Sequence, residues 1–88
     1  MNFGKYLVEF IGTFIFLSVI LSKGEAIPIG VALATAIFFG GKISGGHFNP
    51  AVSAMMHLHG KINTEDLIAY MVAQFLGGVG ALCFFKKV

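Results

Sequence analysis

Three apolar runs, at residues 3–21, 26–41 and 67–85, constrain this chain more than any other feature. Each approaches the ~20 residues that a helix needs to cross hydrocarbon, with the middle run somewhat short. In a chain of 88 residues that is 57% hydrophobic and only 11% charged, this pattern describes an integral, multi-pass membrane protein and not a small soluble domain. A secretory signal would need a basic start, a shorter apolar core and a small-residue cleavage site. The first run instead carries Glu9 inside it, and no such site follows, so it is read as part of the mature protein.

Polar residues within these runs are the informative exceptions. A carboxylate at the depth of Glu9 is costly unless it is paired, hydrogen-bonded or protonated, which makes it a candidate functional group. The alternative is that Glu9 snorkels toward the headgroups beside Lys5, and position alone leaves both readings open. Small residues recur at four-residue spacing in the second run (Ala32, Ala36, Gly40) and the third (Ala69, Ala73, Gly77, Ala81), a pattern that lets helices approach closely in lipid. Gln74 reads as an interhelical hydrogen bond, and Cys83 as a small packing residue. Ser22, Lys23, Gly24, Glu25 and Pro28 form a polar turn between the first two runs, and residues 63–66 offer caps for the last helix.

Between the second and third runs lies Ser44-Gly45-Gly46-His47-Phe48-Asn49-Pro50-Ala51-Val52-Ser53. A glycine pair, an asparagine suited to cap a helix and a proline suited to the first helical position describe a loop entering a helix. The run that follows, residues 50–58, is about nine residues or roughly 13 Å long, which reaches only halfway across the hydrocarbon. It is therefore a half-helix. Irregular backbone at membrane depth is tolerated only where it is buried in protein or lines a wet cavity. His57 and His59 do not share a helical face and have no Cys or carboxylate nearby to complete a metal site, so they read as a solvated helix terminus and no metal is expected.

Residues 41–52, from Gly41 and Lys42 through Asn49-Pro50-Ala51-Val52, resemble the first signature loop of the aquaporin and glycerol-facilitator family, the major intrinsic proteins. Glu9-Phe10-Ile11-Gly12-Thr13-Phe14 resembles that family's first-helix pattern, and Tyr70, Gln74 and Gly77-Gly78 its third helix. The resemblance implies an all-α membrane fold: one aquaporin-like half-repeat over residues 1–88, with helices at about 3–21, 26–41 and 65–85 and a loop plus re-entrant half-helix at about 42–58. It further implies that Asn49, Pro50 and Ala51 are the pore motif and that the carbonyls of Gly45, Gly46, His47 and Phe48 line the pore. Glu9 and Gln74 would brace the loop and bundle, His47 would hydrogen-bond the loop near Glu9, and Ile29 would stand at the selectivity filter.

The chemistry this implies is passive conduction of water, glycerol or another small neutral solute. The Asn49 amide would donate to a passing water, loop carbonyls would accept from its neighbours, and the positive end of the half-helix would exclude protons. No nucleophile, base or cofactor motif accompanies the loop, so neither catalysis nor a cofactor is read. A net charge of +2 with no basic cluster gives no reason to invoke nucleic acid.

The family pattern is a double one, with two inverted repeats, and this sequence carries the first alone. Arginine is absent from the chain, and Val52 follows its single Asn-Pro-Ala where the family's second copy has arginine. Three outcomes stand. Two chains inserted in opposite orientations could rebuild the double repeat as a homodimer; with the N-terminus cytoplasmic, Lys5, Lys42 and Lys61 lie inside and Lys23, Lys86 and Lys87 outside, which gives no positive-inside bias. The chain could be a fragment that lacks its second half. Or it could be a non-conducting subunit that associates with a full-length aquaporin. Higher assembly is implied by the family alone.

Overall fold

The computed structural model describes residues 3–86. It contains four helices, α1 (Phe3–Lys23), α2 (Ala26–Ser44), α3 (Pro50–Leu58) and α4 (Thr64–Lys86). α1, α2 and α4 are long and apolar enough to cross a membrane. α3, with 9 residues, is not.

The ends of the helices are set by local chemistry. α2 continues through Lys42, Ile43 and Ser44, past the expected end at Gly41, and stops where Gly45 adopts φ 95° and returns its N–H to the Gly41 carbonyl at 2.8 Å. A left-handed residue at this position is the ordinary glycine stop signal. Asn49 caps α3: its Oδ1 accepts the Ala51 N–H at 2.7 Å, with Pro50 at the first helical position. Asn63 caps α4 by accepting the Asp66 N–H at 2.7 Å.

α1 stands between α2 and α4, and α3 lies on α4. The α1–α4 seam is close because of glycine. A Cβ at Gly77 would come within 2.8 Å of the Phe10 carbonyl and 3.1 Å of the Phe14 nitrogen, so the two backbones nearly touch. Ala73 and Ala81 are buried along the same seam. At one end of it Lys5 and Tyr6 of α1 both donate to Asp66 of α4, each at 2.6 Å.

The interior inverts the arrangement of a soluble domain. Glu9, Thr13, Ser44, His47, Ser53 and Gln74 are buried, whereas Ile11, Ile15, Val31, Phe38, Phe39, Phe75 and Val79 are exposed. Such an outer surface is stable against lipid tails, and polar groups must then find partners within the protein. The described residues are all-α, and three crossing helices make this an integral, multi-pass membrane protein.

Candidate functional site

Glu9 is fully buried and receives four hydrogen bonds. Ser44 Oγ donates to its Oε2 at 2.7 Å and the His47 N–H to the same oxygen at 3.0 Å; the Phe48 N–H and Gln74 Nε2 donate to Oε1 at 2.8 and 2.9 Å. A carboxylate has about four acceptor positions, so its capacity is filled. The headgroup alternative for Glu9 does not match this placement, and Lys5 pairs with Asp66 instead. The donors come from α2, the loop and α4, so one side chain of α1 joins three separate segments.

The loop at residues 45–48 folds around that acid with unusual backbone. Gly45, Gly46 and Phe48 have φ of 95°, 67° and 54°. For a phenylalanine this left-handed conformation costs about 1–2 kcal/mol, so packing must hold it. Its ring, 2% exposed, fits a notch made by two glycines. A Cβ at Gly12 would stand 2.1 Å from the ring, and one at Gly40 would stand 3.3 Å from it.

Every loop N–H is turned inward: Gly45 to the Gly41 carbonyl, Gly46 to Ser44 Oγ at 3.1 Å, and His47 and Phe48 to Glu9. The carbonyls of Gly45, Gly46, His47 and Phe48 accept no hydrogen bond among the described residues. His47 reaches Glu9 through its backbone, while its ring Nδ1 lies 2.8 Å from Ser53 Oγ. Ser53 Oγ also accepts from Gln74 Nε2 at 2.9 Å, which ties α3 to α4 and to the loop. Gln74 Oε1 and Thr13 Oγ1 are buried without a partner among the described residues.

Asn49 is exposed at the tip of α3. Its Oδ1 is committed to the cap, and its amide nitrogen donates to no described residue. Asn49 and Pro50 border a groove of about 370 Å³ that runs along α1 and α4 past Thr13, Gln74, Gly78 and Leu82. Ala51 is exposed beside them. Ile29 lies apart, in the first turn of α2, roughly 22 Å along the helix from Ser44 at 1.5 Å per residue.

For three side chains the sequence reading assigned no tertiary partner. Tyr70 donates to the Ser44 carbonyl at 2.6 Å, satisfying the end of α2; the signal was a phenol in an apolar run, which needs a partner when buried. Ser53 shows itself only as a hydroxyl one turn past Asn49, and Asp66 only through its tertiary partners Lys5 and Tyr6. His57 Nδ1 lies 3.0 Å from the Ile62 carbonyl, where it closes the α3–α4 turn.

The family model for the major intrinsic proteins matches residues 20–88. The chain belongs to this family. A glycerol uptake facilitator protein-like 6 of Lactiplantibacillus plantarum is 46% identical over 94% of the chain and 43% of its own length. Human aquaporin-9 is 43% identical over 90% of the chain and 32% of its own length. Aquaporin Z of Brucella melitensis is 47% identical over 66% of the chain and 25% of its own length. The chain thus spans less than half the length of these major intrinsic proteins. No solved structure matches it.

Proposed function

We propose that this chain is a half-unit of a passive channel for water, glycerol or a similar small neutral solute, with its pore completed by assembly with a second half-unit. The observation that carries the reading is the polarity of the loop: four N–H groups point into the protein while four carbonyls and the Asn49 amide remain uncommitted. That set gives a solute hydroxyl or water both acceptors and a donor in sequence along one path. The N-terminal end of α3 carries about half an elementary positive charge before screening, which disfavours hydronium at the same point. No catalytic step is required of any residue.

The groove below Asn49 and Pro50 supports assembly. α3 reaches α4 as far as Gln74, and beyond it, along Phe75, Gly78, Val79 and Leu82, the surface that continues its line is open. A second half-helix of opposite direction fits there by length and places its own tip against Asn49. In an inverted homodimer Ile29 would stand twice at the filter with no arginine beside it, making an apolar constriction that favours uncharged solutes.

Stopped-flow measurement of water and glycerol flux into proteoliposomes tests the proposal. The expected outcome is flux above that of lipid alone and its loss in Asn49→Leu. Tight vesicles despite confirmed insertion would leave the accessory-subunit reading. A cysteine at Lys86 in a Cys83→Ser background is expected to label from both faces of the membrane, and labelling from one face alone excludes the inverted homodimer.

A further inference from the structure

Two anchors of different kind hold the loop at residues 45–48. Glu9 takes the N–H groups of His47 and Phe48 at 3.0 and 2.8 Å, and so fixes which way the loop carbonyls point. Such bonds hold over a range of about 0.5 Å and a broad spread of angles at the oxygen, whereas a close-packed ring has no such latitude. The depth of the loop is therefore set by the Phe48 side chain.

That side chain meets both helices of the α1–α2 seam without slack. Its Cζ would stand 2.6 Å from a Cβ at Gly12 and 3.3 Å from one at Gly40, and Val8 Cγ1 closes the seam beside it, 2.7 Å from the same Cβ at Gly40. The backbone of Phe48 is left-handed, with φ of 54°, a conformation kept in a bulky residue only when its surroundings impose it. Phe48 also borders the groove beneath Asn49 and Pro50, and it directly precedes Asn49 in the chain. A change in the seat of the ring is thus passed straight to the Phe48 carbonyl and to the Asn49 cap.

We propose that Phe48 is a specificity-determining positioning residue: the depth to which its ring seats between Gly12 and Gly40 sets how far the loop carbonyls stand into the solute path, and with it the size of solute admitted. The inference rests on the channel reading given above. A shorter side chain lets the loop settle toward the seam and widens the path, whereas a filled notch lifts the ring and narrows it. Selection by width at a line of carbonyls needs only small displacements, because acceptor spacing and pore diameter act together there.

Stopped-flow water and glycerol fluxes of the full chain in proteoliposomes, with insertion checked by circular dichroism, give the ratio of the two permeabilities. Phe48→Leu is expected to raise the glycerol-to-water ratio by about tenfold, the lower end of what a methylene-sized change of fit brings. Gly12→Ala is expected to lower the ratio, and Gly12→Ala combined with Phe48→Leu to return it toward that of the unaltered chain. Where Gly12→Ala alone does not fold, Phe48→Leu with and without it reads the same sign. A residue that only stabilises the fold would lower both fluxes together and leave the ratio where it was. A ratio unmoved by Phe48→Leu, or one that Gly12→Ala shifts in the same direction, overturns the proposal. Flux in the unaltered chain no higher than that of lipid alone removes the channel reading itself, and the selective role of Phe48 with it.

Discussion

The two seams of α1 differ in kind. Against α4 the backbones meet at Gly77, Ala73 and Ala81 are buried, and Lys5 and Tyr6 fasten one end to Asp66. Against α2 the helices meet at Gly40, where Val8 and Phe48 fill the space, and then leave an open groove. Both helices carry small residues at four-residue spacing, so the motif alone does not determine closeness. What decides is whether a bulky neighbour stands in the gap. Phe48 does so on the α2 side, and it is held there by Glu9.

Four substitutions break or sharpen this contrast. Glu9→Ala removes the acceptor of four buried hydrogen bonds and releases the loop from both seams; a loss of about 3–5 kcal/mol is expected in reversible detergent unfolding followed by circular dichroism. Gly77→Val forces a side chain into the Phe10 backbone on the tight seam, with an expected loss of about 1–3 kcal/mol by the same measurement. Tyr70→Phe leaves the Ser44 carbonyl without its donor; about 1 kcal/mol is expected, with faster amide exchange in the last turn of α2. Ala36→Leu, an enlargement on the open seam, should change stability by less than about 0.5 kcal/mol. A large loss from Ala36→Leu, or none from Gly77→Val, would erase the distinction between the seams.

Where the sequence was legible, the reason lay in expensive chemistry or local backbone rules. An acid and an amide inside apolar runs, Glu9 and Gln74, had to find partners, and they share one another. Asn49-Pro50 announced a helix start that depends only on neighbouring residues. The end of α2 was less legible because Lys42 and Ser44 lie outside the apolar run. Hydropathy marks where hydrocarbon ends, whereas the helix runs on to the left-handed residue at Gly45, its last carbonyl taken by Tyr70. The wedge at Phe48 was not legible at all. Its notch is assembled from Gly12 and Gly40 on different helices, and its left-handed backbone is one that no local rule assigns to phenylalanine.

Glu9 draws its partners from three segments that leave the ribosome at very different times. When the first helix enters the bilayer the acid has no protein donor, and the amide of Gln74 arrives only with the last helix. The re-entrant turn therefore cannot complete its contacts before the helix that carries Gln74 has been made, and until then the acid of α1 must be sheltered from hydrocarbon without them.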